Sequence, residues 1–380
     1  MQLSAFIALK GEPIGENLPM EIDKLPGVEI DKLLEELILV PGVSGYEEPI
    51  RKKIKELIED CLDRVEVDAL GNLIGLREGR GKTHIAFFAH MDELGLVVAN
   101  ITAEGFLRFR KMGGLDDRIL PSRQVKLLTS QGAEIQGIVA WVPPHMALDG
   151  QKTLDRVVPW HDLVIDLGAR NAQEVRAMGV KIGDPIVFVK QVSRLANNIL
   201  ASRGMDNRAG CATLVALIRG LAGMQPEPRI SFIFTTQEEY GLRGAAVSGY
   251  QVKPDAAFII DTASAPDFPG VPEIYKDQFQ IGRGPLLRLV DNRMITHQGL
   301  RKLVERTADE KNILLQLGVV GGSTDAAAVQ VAGEGIPTLP VCIPCRYTHA
   351  TVEAVSLDDL KATVNLLREI IERTGGNDTF

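Results

Sequence analysis

RISFIFTTQEEYG, residues 229–241, carries a largely apolar run, Ile230 to Phe234, into two adjacent glutamates, Glu238 and Glu239. The run has the length and character of a buried β-strand. Neighbouring carboxylates repel, and neither glutamate has a basic residue beside it in the chain. Something else must hold two negative charges where the strand leaves its sheet. The same arrangement, an acid or histidine directly after a buried strand or opening a helix, recurs in AHMDELG (His90, Asp92), GMDNRAG (Asp206), IIDTASAPD (Asp261) and RYTHATVEAV (His349). Strand ends are where open α/β sheets bind ligands.

Outward from this segment the chain keeps an α/β rhythm. Helix AGCATLVALIRGLAG precedes it; strand DAAFIID, a helix around GLRKLVERTADEKN and a last helix LDDLKATVNLLREIIERT follow. Upstream, HIAFFAHMDELG contains a strand from Ile85 to Ala89, and VEVDALGNLIGLR alternates around a Gly-Asn turn as a β-hairpin does. PGVSGYEEPIRKKIKELIEDCL reads as a turn, a cap at Ser44 and a helix with Ile50, Ile54, Leu57, Ile58 and Cys61 at helical spacing. Between Leu96 and Lys190 the texture changes to short β-rich runs separated by Gly, Pro and Asp, with one short helix at NAQEVRAMG. The expected organisation is an extension over residues 1–28, an α/β domain over 29–95 and 191–380, and a β domain over 96–190 inserted into it.

The bulk numbers exclude several classes. The 380 residues, 45% hydrophobic and 24% charged, suffice for a large core and two domains or three. A net charge of −8 argues against a nucleic-acid surface. No stretch approaches the ~20 apolar residues of a membrane helix. The opening MQLSAFIALKGEP has no basic n-region and no cleavage site of the usual kind, so the expectation is a cytoplasmic protein without a signal peptide. Four cysteines do not make a disulfide framework, and Cys342-Ile-Pro-Cys345 lacks the second pair of a four-cysteine zinc site, so both read as ordinary thiols.

Taken singly, the polar residues have plain readings. Asp206 ahead of a helix is an ordinary N-cap, Asp261 with its threonine a turn residue, and His349 a loop histidine like His84, His145, His161 and His297. Taken together, two histidines and several carboxylates from separate strands form a nitrogen and oxygen donor set suited to zinc or a similar divalent ion. His90 and Asp92 fall on one side of an extended chain, where the carboxylate reaches the second ring nitrogen and fixes its tautomer. Adjacent Glu238 and Glu239 diverge in an extended chain, which suits one ligand and one proton carrier.

PGVSGYEE, AHMDELG, DLVIDLGA with MGVKIGDP, MDNRAGC, TTQEEYGLRGA, GGSTDAAAVQ with GEGIPT, and IPCRYTHATVEAV, in this order, resemble the M42 family of metallo-aminopeptidases, which includes the glutamyl-aminopeptidase-like and tetrahedral (TET) enzymes. The resemblance covers most of residues 30–375. It implies an α/β two-metal peptidase domain, a mixed sheet flanked by helices, interrupted by an inserted β-barrel that mediates oligomerisation. It further implies that His90 and Asp261 are terminal ligands of one metal, Glu239 and His349 of the other, and that Asp206 bridges the two. Asp92 then orients His90, and Glu238 is the general acid and base.

The activity so implied is hydrolysis of N-terminal residues from peptides by a metal-activated water, with one metal facing the substrate's free α-amine. Zinc is the expected ion, with cobalt or manganese as alternatives; homo-oligomers, dimers or a dodecamer, are the expected assembly. Substrate-binding residues and side-chain preference are not legible. A serine hydrolase would need G-x-S-x-G, which is absent. A glycosidase, the endoglucanase label some M42 relatives carry, would need carboxylates ~5–9.5 Å apart across a sugar bond, which adjacent glutamates do not obviously supply. A two-metal deacylase and a non-catalytic scaffold homologue complete the rival readings; the latter is disfavoured because all five ligand positions are intact.

Overall fold

The computed structural model describes residues 29–146, 156–276 and 278–374; the extension at 1–28, with the start that bears on a signal peptide, lies outside them. Helices α1 (Ile30–Leu39) and α2 (Glu48–Ile58) precede a hairpin of β1 (Arg64–Val67) and β2 (Leu73–Arg77), and then β3 (His84–His90). The chain departs through β4 (Gly95–Ile101), β5 (Phe106–Met112), β6 (Gln124–Leu128), β7 (Glu134–Ala140), β8 (Val164–Asp166), α3 (Ala172–Ala177) and β9 (Pro185–Phe188). It returns by β10 (Ser193–Arg194), β11 (Ile199–Ser202), α4 (Met205–Gly220), β12 (Arg229–Thr235), α5 (Arg243–Val252) and β13 (Ala256–Ser264). The last elements are β14 (Leu286–Val290), α6 (Gln298–Glu310), β15 (Gln316–Val319), α7 (Ala326–Val329), β16 (Thr338–Arg346), β17 (Glu353–Ser356) and α8 (Leu357–Thr374).

One mixed sheet runs β1-β2-β12-β3-β13-β16-β17-β11-β10, with β14 beside β16 and β15 beyond it. Its centre, β12-β3-β13-β16, is parallel. Helices cover both faces, so these strands read as unbroken apolar runs rather than alternating ones. Ile85, Phe87 and Ala89 pack into the core formed with α1, α2, α4 and α8, while Ala86 and Phe88 face the smaller core on the side of α5 and α7. The parallel register sets Phe232 and Phe258 on either side of Phe87, and the three rings stack with centroids 5.7 and 5.4 Å apart. Among the described residues no helix is long and apolar enough to cross a membrane.

The six strands β4-β5-β8-β7-β6-β9 close into a barrel. Leu96 and Val98, Leu107 and Phe109, Val125 and Leu127 point inward at every second position and fill it. Short strands joined by turns underlie the change of texture seen in the sequence. At the junction, Lys190 just past β9 donates to Glu93 just past β3 (2.7 Å) and to the Ile38 carbonyl (2.7 Å). Glu93 also accepts from the Gly42 amide at 3.1 Å and from the buried Arg208 at 3.4 Å. Both crossings of the insert are thereby tied to the same carboxylate.

At the start of α2 the expectation differs from the structure. Ser44 is no helix cap: α2 starts four residues later behind Glu47, with a proline in its first turn and no side-chain cap bond. Proline there lacks one of the amides a cap would satisfy, and Ser44 is left for another partner. Cys342 and Cys345, expected as ordinary thiols, are both buried and free of disulfide bonds, and their odd spacing on β16 sends them to opposite faces. Cys345 joins the main core, Cys342 a small cluster with Phe279 and Leu286.

Candidate active site

Parallel register brings the first residues of the site together. Thr235 of β12 lies opposite His90 of β3. Asp261 of β13, two residues past the Ile259–Phe88 pair, therefore stands beside His90 at the carboxyl edge of the sheet. Asp206 arrives from the start of α4. Its cap reading fails, because the N-cap position is Gly204, in the left-handed region at φ 83°, and Asp206 itself is non-helical at φ −78°, ψ 104°. The local break turns its carboxylate away from the helix amides and into the site.

The result is a chain of donors about one aspartate. Asp206 Oδ1 is 3.2 Å from His90 Nε2, and Oδ2 is 3.4 Å from His349 Nε2. Asp261 Oδ1 is 3.6 Å from the same His90 nitrogen, and Glu239 Oε2 is 3.5 Å from the same His349 nitrogen. Among the described residues, two groups could each hold a metal ion: His90, Asp206 and Asp261, and Asp206, Glu239 and His349. All five expected ligand positions are thus brought together, and His84 is not; it bonds Ser231 at the start of β3 instead.

The two glutamates do not lie on extended chain. Strand β12 ends at Thr235, Gln237 adopts φ 54°, and Glu238 opens a tight turn whose carbonyl accepts from Gly241 and Leu242. The left-handed residue breaks the strand before the pair, so their separation comes from a turn. Asp92 anchors that turn. Wholly buried, it accepts from the Ser44 hydroxyl (2.6 Å), the Glu238 amide (3.0 Å) and the Glu239 amide (3.2 Å), and stands 3.5 Å from His90 Nδ1. Burial alone would raise its pKa; the His90 ring, Ser44 and the Glu238 amide outweigh that and hold the carboxyl below its ordinary range.

The centre carries more negative charge than its own groups neutralise. Burial, then Asp206, pushes Glu239 up to about 8, and burial with Asp261 and Asp325 close by drives Glu238 well above the usual carboxylate range. His349, although burial opposes its protonation, is raised to about 10 by Asp206 and Glu239. Oxygen Oε1 of Glu239 is buried without a hydrogen bond. A nitrogen and oxygen donor set of this kind, with an orphaned carboxylate oxygen, fits divalent cations.

Three further residues build the site. Glu353 on β17 is buried and accepts from the amides of Gly204 (3.0 Å), Asp206 (3.2 Å) and His349 (2.8 Å), so one carboxylate fixes the two segments that meet at Asp206. It sits four residues after His349 inside a motif already singled out, but only the fold shows where its side chain goes. Ser44 was visible as a polar residue and assigned to the wrong partner. Asp325, from GGSTDAAAVQ, is buried behind the Glu238 turn and takes the Thr235 hydroxyl. In front of the centre lies a cavity of about 510 Å³ with apolar walls at Ala263, Ala265, Phe268 and Phe279.

Residues 71–366 match the profile of the M42 glutamyl aminopeptidase family. A putative aminopeptidase of Acetivibrio thermocellus is 38% identical over 89% of this chain and 97% of its own. The lysyl aminopeptidase of Pyrococcus furiosus is 31% identical over 90% and 96%. The TET1 peptidase of Pyrococcus horikoshii, which assembles into a tetrahedron or a large octahedral shell, superposes with a TM-score of 0.83 at 39% identity, covering 90% of this chain and 99% of that one. By sequence, fold and relatives alike, the chain belongs to the M42 family of aminopeptidases.

Proposed function

We propose that this aminopeptidase releases N-terminal residues from peptides with two divalent cations, zinc first among the candidates. The observation that carries the reading is Asp206, with one carboxylate oxygen toward each histidine. His90, Asp206 and Asp261 would hold one cation, and Asp206, Glu239 and His349 the other. When bound, such cations lower the pKa of a water and polarise a carbonyl oxygen.

The remaining work falls to the chain's own side chains. Glu238 lines the cavity, and its carboxylate has no hydrogen-bond partner among the described residues, so it is free to take a proton from the attacking water and hand it to the leaving amine. Asp92 keeps it in place by accepting its backbone amide, and the same carboxylate orients the His90 ring. The apolar cavity wall would receive the side chain of the residue released.

The test is a panel of aminoacyl p-nitroanilides and short peptides, run on protein stripped with a chelator and reloaded with zinc, cobalt or manganese. Activity should vanish on stripping and return with close to two ions per chain. Cleavage of acylated amino acids but not of peptides would move the reading to a deacylase, and full turnover without metal would end it.

The same reading extends to assembly. The relative that forms shells, and the exposed Ile138, Val142 and Ile182 on the barrel segment, support a homo-oligomer built through the insert at 96–190.

A further inference from the structure

We infer that the cleft between the barrel and the glutamate turn receives the leaving side of the peptide, and that Arg110 binds a substrate carboxylate there. The inference rests on the aminopeptidase reading and adds to it a second subsite and its ligand chemistry.

Two hollows meet at Glu239. The first is the cavity into which His90, Asp206, Glu238 and Asp261 converge. The second, about 450 Å³, is lined by Arg110, Lys111, Gly113, Trp160, Glu239 and Tyr240. A peptide cut at its first bond needs both: one space for the residue released, another through which the rest of the chain leaves. The first hollow has the apolar walls a side chain needs, and the second shares only Glu239 with the centre.

The barrel approaches the centre through backbone. A Cβ on Gly113 would lie 3.2 Å from the Glu239 carbonyl and 2.3 Å from Leu94, and Gly113 has φ +83°. A Cβ on Gly114 would lie 3.5 Å from His349 Nδ1. Gly113 therefore lets the chain just past β5 form one wall of the path at the metal-ligand candidates, with Gly114 at ordinary contact distance from His349. Half-exposed Tyr240 gives another face against which an extended peptide can lie.

The charge of this cleft is the opposite of the centre's. Lys111 is already committed, donating to the Leu115 carbonyl at 2.7 Å and to Asp117 at 2.6 Å. Arg110, the preceding position on β5, alternates with buried Phe109 and is exposed; it has no hydrogen bond or ion pair among the described residues. In the loaded centre the cations are taken up by their own carboxylate donors, so a peptide carboxylate in the cleft needs a positive partner of its own. A free guanidinium offers paired donors shaped for a carboxylate. The ligand is the α-carboxylate of a short peptide, on the side that leaves as product.

The experiment compares tripeptides X-Gly-Gly with a free carboxylate and with a C-terminal amide, X being the residue released fastest from its p-nitroanilide. The metal-loaded protein and its Arg110→Ala and Arg110→Lys variants are assayed. The wild type should favour the acid over the amide on the order of fivefold in kcat/KM, mostly through KM, and less at high salt. Arg110→Ala should bring that ratio close to one, and Arg110→Lys should restore part of it. A ratio unchanged in Arg110→Ala, or equal losses on acid and amide, would overturn the subsite. If the wild type cleaves neither anilide nor peptide, the aminopeptidase reading falls first and this inference with it.

Discussion

The Asp92 carboxylate accepts the backbone amide of Glu238 at 3.0 Å, so the residue that steadies the His90 ring also fixes the turn that presents the proposed proton carrier. One buried group thus couples ligand orientation to the position of the base. Asp92→Asn keeps the volume but replaces one acceptor oxygen with a donor facing amides. The expected outcome is a drop in metal affinity of about 10–100-fold, the usual cost of losing such a partner, together with a fall in kcat at saturating metal. Metal titration followed by kinetics separates the two, and normal kcat once metal is saturating would limit Asp92 to ligand support.

Glu238→Gln and Glu239→Gln should fail differently. The first removes a proton carrier and leaves the metal count near normal, with kcat lower by roughly 10²–10⁴-fold. The second removes a charged donor from the group around His349, so one ion should be lost and excess metal should restore part of the activity. Metal analysis and kinetics on both proteins check this; loss of metal in Glu238→Gln alone would reverse the roles.

Glu353→Gln leaves one of three buried amides facing a donor in place of an acceptor. A destabilisation of about 1–3 kcal/mol is expected for an unsatisfied buried group, readable by chemical denaturation. Because those amides belong to Gly204, Asp206 and His349, occupancy of the group containing Asp206 and His349 should fall as well.

Lys190 and Glu93 hold both crossings of the barrel, and Lys190 is buried deeply enough that desolvation brings it down to about 8. Lys190→Met leaves a buried carboxylate with reduced compensation. Removing one partner of such a pair costs about 3–5 kcal/mol, and denaturant unfolding reads it directly. A loss below about 1 kcal/mol, the size of a surface pair, would mean the junction is held by packing instead.

Ile138 and Val142, exposed on the barrel segment, give a test of assembly. The full chain should scatter light as a multiple of its own mass, and Ile138→Glu combined with Val142→Glu should lower that multiple. An assembly unchanged by both charges would place the interface on another surface.

The α/β class, the inserted β region and the family were legible in the sequence because each has a local signature. Apolar runs ending in polar residues mark buried strands. Short β-rich runs broken by Gly, Pro and Asp between Leu96 and Lys190 mark the inserted β region, and the motifs around His90, Asp206, Glu238, Asp261 and His349 stand in a recognisable order. What needed the tertiary structure was partnership. That Ser44 serves Asp92 rather than a helix, that Asp206 turns out of α4 instead of capping it, and that Glu353 joins two segments depend on residues far apart in the chain meeting at one sheet edge. The same holds for Arg110, which only barrel closure and the close approach at Gly113 bring to the cleft beside Glu239. Local pattern reports a residue's own environment along the chain; a polar side chain's role is decided by its partner, and partners are chosen by the register and packing of the whole sheet.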